Sequence, residues 1–175
     1  IGFLIKGPIS IVVFIFTLSS YVLWNKDINL LKKIRPFWGI ICFLIIVLPW
    51  VYIIQKTTNG LFFEKAIKED FLPKLFSEQE SHGGYPGYYL LISSLIFWPL
   101  ASFFPLAFFF VKKNLNNLGI RFLICWFIPF WIIIELTPTK LFHYPLPIFP
   151  PLILIVTGAI IYFENNKLNL KSYLF

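Results

Sequence analysis

Five apolar stretches follow one another along this chain, each close to the length that crosses a lipid bilayer. They are Ile1–Trp24, Phe37–Ile54, Tyr88–Val111, Phe122–Leu136 and Pro145–Phe163. Crossing the hydrocarbon core by helix takes roughly 20 residues, with a range of about 17–25. The first, third and fifth stretches meet this directly, the second sits at the short end, and the fourth meets it when it starts near Leu118. Strands with open edges would leave backbone groups unpaired in lipid, so helices are the expected form. The chain therefore reads as an all-α integral membrane protein, a polytopic helix bundle. The expected helices cover about 1–24, 37–54, 88–111, 119–136 and 145–163, with outer loops at 55–87 and 137–144.

The composition leaves little room for a soluble alternative. Hydrophobic residues make up 58% of the chain and charged ones 13%, more apolar surface than a water-soluble fold can hide. The formal net charge of +7 raises the question of nucleic acid. The basic residues, however, lie between apolar stretches, and no basic–aromatic nucleic-acid motif is present, so no nucleic-acid partner is expected. Cys42 and Cys125 fall inside apolar stretches and read as small buried hydrophobes. The chain starts at Ile1 and contains no methionine, so it is expected to be part of a longer protein, one transmembrane region (1–175) of a larger membrane domain.

Lys and Arg in the connections set the expected orientation. Residues 25–36 carry Lys26, Lys32, Lys33 and Arg35 against Asp27. Residues 112–121 carry Lys112, Lys113 and Arg121 with no acid, and the tail after Glu164 has Lys167 and Lys171. These three regions share a side when five helices alternate, and that side is expected to be cytoplasmic. The long loop 55–87 holds four lysines against five acids and is expected outside, with 137–144 and Lys6. Within the long loop, Leu61, Phe62, Phe63, Ala66, Ile67 and Phe71 recur at helical spacing, with Glu64 and Lys68 set for an i,i+4 pair. This predicts a short interfacial helix ending near Leu72, before Pro73.

The residues able to do chemistry concentrate on that outer side. Between the fourth and fifth stretches, Thr137-Pro138-Thr139-Lys140-Leu141-Phe142-His143-Tyr144-Pro145 packs a Lys, a His and a Tyr into five residues. Ionisable groups at membrane level are costly without a partner. An anion at the bilayer surface suits Lys140 as a point charge, with His143 or Tyr144 as hydrogen-bond donors. The competing reading is a snorkelling lysine and an interfacial aromatic. Lys6-Gly7-Pro8 has the same two readings. Glu135 ends an apolar run and is a candidate partner for Lys140 or Lys6. In Glu80-Ser81-His82-Gly83-Gly84-Tyr85-Pro86-Gly87-Tyr88-Tyr89 the glycines allow backbone to approach a ligand closely, while Tyr88 and Tyr89 fit an aromatic belt. Glu78, Glu80 and His82 have metal-ligand chemistry at a spacing that is not diagnostic. No Walker loop, dinucleotide glycine pattern, Cys-x-x-Cys or His-Glu-x-x-His occurs.

Three of these motifs occur in a telling order: Ile5-Lys6-Gly7-Pro8, then Glu80 to Tyr89, then Pro138-Thr139-Lys140-Leu141-Phe142-His143-Tyr144-Pro145-Leu146-Pro147. Together they resemble the bacterial 4-amino-4-deoxy-L-arabinose transferase-like proteins of glycosyltransferase family 39, which are similar in fold (GT-C) to the protein O-mannosyltransferases. The likeness runs from Ile5 to about Leu154. It implies a multi-pass bacterial inner-membrane glycosyltransferase with its active site facing the periplasm. The implied donor is a polyprenyl-phosphate-linked sugar and the acceptor lipid A, another glycan or a protein, with membrane lipid around it. The family's acidic catalytic residue belongs to an upstream outer loop, so no catalytic residue is assigned in this chain, which alone is expected to be inactive. No metal ligand or cofactor is assigned here either, while a divalent metal in the full protein stays open. The positions that carry over are Lys6, His82, Lys140, His143 and Tyr144, for donor phosphate binding or site architecture. The alternative is a non-catalytic transporter or flippase-like component, in which broken helices with charges at mid-depth are expected.

Overall fold

The structure, a computed structural model, describes residues 2–71 and 84–165. Its helices are α1 (Gly2–Lys6), α2 (Ile9–Asn25), α3 (Asn29–Ile34), α4 (Pro36–Thr57), α5 (Leu61–Lys65), α6 (Tyr88–Ile96), α7 (Phe104–Lys113), α8 (Leu118–Leu136) and α9 (Phe149–Asn165). Short 3₁₀ turns at Leu100–Phe103 and Leu146–Ile148 lead into α7 and α9. Among the described residues, three segments are long and apolar enough to cross a membrane: Pro36–Thr57, Leu118–Leu136 and Leu146–Asn165. A fourth is formed if Tyr88–Ile96 and Leu100–Lys113 count as one span, bent by 105° at the break between them. Adding the 17-residue apolar α2 gives the five apolar elements expected of a polytopic bundle.

Two expected helices are broken, each at a proline. The first splits at Gly7-Pro8, where Gly7 takes φ +64. The third splits around Trp98-Pro99, because a proline has no N–H to give the preceding turn. Phe97, at this break, is buried against Phe104, Trp131 and Phe149, with ring centroids 5.9, 5.9 and 4.9 Å away. The short helix expected in the long loop is present as α5 and a wider π-helical turn over Ala66–Phe71, and Lys68 pairs with Glu64 at 3.0 Å. Its expected end near Leu72 lies outside the described residues.

Packing is centred on α8. Helix α2 runs along one side of it, α9 along another, and α7 packs on α9. At Gly158 of α9, a Cβ would meet the Phe110 ring of α7 at 3.2 Å. Helix α4 differs: its 22 residues bury only Val47. Asn117 starts α8 by accepting hydrogen bonds from the Gly119 and Ile120 amides, a normal N-cap. Next to this start, Arg121 donates to Asn25 Oδ1 at 2.9 Å, and Tyr21 meets Phe122. The C-terminal end of α2 is thus beside the N-terminal end of α8, and the two helices are antiparallel. The basic connections at 25–36 and 112–121 share one end of the bundle. The start of α2, with Lys6 just before it, points to the other end, where α8 finishes.

Candidate functional site

At that other end a closed polar knot is built where α8 stops and α6 begins. A helix leaves its last carbonyls and its first amides without partners. The knot joins one set to the other through two charged side chains. Glu135, in the last turn of α8, accepts from the amides at the start of α6. Gly87 N–H donates to Oε2 at 2.9 Å, Leu90 N–H to Oε1 at 2.7 Å and Tyr89 N–H to Oε2 at 3.4 Å. Lys140, just past α8, folds back and donates to the Ile134 and Glu135 carbonyls at 2.9 and 2.6 Å. A carboxylate thus sits at a helix N-terminus and an ammonium at a helix C-terminus, the favourable arrangement for both dipoles. The two charges lie 3.9 Å apart.

Tyr89 closes the knot. Its hydroxyl donates to Leu141 O at 2.9 Å and accepts from Leu141 N–H at 3.0 Å. Its ring lies 5.2 Å from the Lys140 ammonium. Gly84 N–H donates to Pro138 O at 3.1 Å, and a Cβ at Gly84 would approach Lys140 Cγ to 2.7 Å. Glycine is needed here because the backbone lies directly on the lysine stem. Lys140 is 5% exposed and Tyr89 fully buried. Burial pushes the Lys140 ammonium below the ordinary lysine value, and the adjacent Glu135 charge opposes this.

The candidate residues divide accordingly. Lys140 is held inside by α8 and Glu135, the partner its position suggested. His143 is exposed and Tyr144 half-buried; they sit on the rim of the same turn with their rings edge to face at 5.2 Å. The turn itself is fixed by Tyr144 N–H to Leu141 O and Leu146 N–H to His143 O. Lys6 ends α1, on the knot's end of the bundle, and its side chain is outside the described residues, as are Glu78, Glu80 and His82. Among the described residues no three of His, Cys, Asp and Glu come together as metal ligands.

Two parts of the sequence reading are corrected. Cys42, expected to be buried like Cys125, is exposed on α4. Tyr89 is not a belt tyrosine at the water interface: it is buried and hydrogen-bonded at both hydroxyl functions. Its contact with Leu141 spans 52 residues, which no local pattern carries. The signals that were present are the Gly-Tyr-Pro-Gly turn before α6 and a lone acid closing an apolar helix.

No protein-family model and no curated protein matches the sequence. A solved structure does match. The fold is shared with ArnT. The crystal structure of ArnT from Cupriavidus metallidurans bound to undecaprenyl phosphate superposes with a TM-score of 0.76, over 89% of this chain at 22% sequence identity. The matched part is 28% of the ArnT chain, so the polytopic arrangement corresponds to a minority of ArnT.

Proposed function

We propose that this chain is the membrane-embedded, donor-side portion of a glycosyltransferase that takes its sugar from a polyprenyl-phosphate carrier. The observation that carries this is the fold shared with ArnT, a protein solved with undecaprenyl phosphate bound. The motif resemblance to arabinose-transferase-like proteins points the same way independently of the fold. The acceptor is lipid A, another glycan or a protein, and the site faces the outer side of a bacterial inner membrane, the side opposite the basic connections.

Roles follow from where the side chains lie. The N-terminus of α6 is a ready anion site, but Glu135 already fills it. The phosphate therefore goes to the rim, where His143 and Tyr144 present hydrogen-bond donors, with contributions from Lys6, at the same end of the bundle, and from His82, which the motif resemblance carries over. Lys140 serves architecture: its charge is spent on α8 carbonyls and Glu135 and holds the turn that carries the rim. No proton-transfer role is assigned to any residue of this chain. The transporter reading is weaker, because the break at Phe97–Pro99 is lined by aromatic rings rather than by charges at mid-depth.

The test is sugar transfer from a polyprenyl-phosphate donor by the full-length protein. His143→Ala and Tyr144→Phe are expected to lower transfer while membrane insertion is kept. Unchanged transfer in both variants would remove the rim from the donor site.

A further inference from the structure

The end of the bundle opposite the knot carries a second feature. A groove of about 410 Å³ runs between α7, α8 and α9, and Trp24 of α2 stands beside it. Phe104, Ala107, Phe108 and Val111 form one wall, and Ile124, Phe127 and Ile128 another. The first set follows the i, i+3, i+4, i+7 stripe of a single helix face. Continuing each stripe toward the helix end leads to a cation. Lys112 is one turn beyond Phe108 on α7, next to Val111 and the lining residue Leu115. Arg121 is one turn before Ile124 on α8.

Arg121 is held in place by neutral groups. It donates to Leu115 O at 2.7 Å, to Asn25 Oδ1 at 2.9 Å and to Asn116 Oδ1 at 3.4 Å. Its guanidinium also lies 5.8 Å from the Trp24 ring. None of these partners offsets its charge, and residues 112–121 contain no acid. The groove thus has an apolar body, with Lys112 and Arg121 one turn beyond its lining residues and Trp24 in its wall.

We propose that this groove holds one anionic glycerophospholipid, an acyl chain lying along the α7 and α8 stripes and the phosphate set between Lys112 and Arg121. The apolar body and the two cations beyond it match the two parts of such a lipid, and basic pockets between membrane helices are suited to anionic headgroups. The site is separate from the knot, since Trp24 and Arg121 mark the opposite end of the bundle, and it does not depend on the glycosyltransferase reading.

Native mass spectrometry of the full-length protein, offered phosphatidylglycerol and phosphatidylcholine in equal amounts, tests this. Preferential retention of one phosphatidylglycerol is expected. Lys112→Gln, at an exposed surface position, should weaken that retention about fivefold, the effect of one interfacial charge. Ile128→Trp, which fills the groove from an exposed position, should abolish it. Equal retention of the two lipids, retention unchanged in both variants, displacement by polyprenyl phosphate, or no lipid retained because other segments of the protein cover the groove would each overturn the proposal.

Discussion

The base and the rim of the 137–147 turn are three residues apart and differ in kind. At the base, Lys140 is buried, and every donor it is seen to use points at α8. On the rim, His143 and Phe142 are exposed, and the turn's backbone bonds keep them there. A single polar cluster in the sequence is thus two places in the fold, one closing the backbone ends of two helices and the other facing outward. Charge alone does not separate them. What separates them is whether a helix end is near enough to take up the charge. Substitutions at the base should therefore act on stability, and substitutions on the rim on ligand.

The largest effect is expected at Glu135. Glu135→Ala leaves the α6 amides without an acceptor and Lys140 as a buried charge without its counter-ion. Removing one partner of a buried pair costs about 3–5 kcal/mol. In the full-length protein this should appear as a lower unfolding midpoint in denaturant or a loss of folded yield. Glu135→Gln keeps an acceptor for the amides and should recover part of it. A Glu135→Ala protein as stable as the parent would mean that the base is not the closed unit described here.

Tyr89→Phe comes next. It orphans the N–H of Leu141 at a part-buried place, at about 1–3 kcal/mol, while the Leu141 carbonyl keeps the Tyr144 N–H. The same range, about 1–3 kcal/mol, is expected of Gly84→Ala, which sets a methyl against the Lys140 stem. The two are distinguishable by rescue. Shortening the lysine side chain makes room for the methyl added at position 84 but does nothing for Leu141. The double variant Gly84→Ala with Lys140→Ala should thus be less destabilised than the sum of its single changes, whereas Tyr89→Phe with Lys140→Ala should show no such relief. Simple additivity in the first pair would show that Gly84 does not lie on Lys140.

What the sequence made legible follows the range over which its signals act. Apolar length, the amphipathic run at 61–71 and the i,i+4 pair of Glu64 and Lys68 are set within a few residues, and all are visible in a linear reading, whereas the breaks at Pro8 and Pro99 are not, since Pro49 and Pro129 lie inside continuous helices. The Glu135–Lys140 pair, five residues apart, is also within reach. The capping of α6 by Glu135 is not, because it joins residues 45 to 48 apart, and neither is Tyr89 against Leu141. In an aqueous protein a buried tyrosine stands out by its apolar setting. In this chain every setting is apolar, so a belt tyrosine and a core tyrosine look alike until the partner helix is in place.

His143→Ala is the smallest change in stability and the one that most sharpens the contrast. An exposed rim side chain away from core packing should shift stability by no more than about 0.5 kcal/mol. If the ring donates to a donor phosphate, its removal takes away a hydrogen bond to a charged group, worth about 1.5–3 kcal/mol, or roughly 10- to 100-fold in transfer. Measured on one preparation of the full-length protein, the unfolding midpoint should stay put while transfer falls. Tyr89→Phe should do the reverse in proportion, losing transfer only as far as it loses folded protein. A His143→Ala variant whose transfer and stability fall together would move the histidine from the rim to the base. The turn would then be one structural unit, and the phosphate would have to be sought at Lys6 and His82 instead.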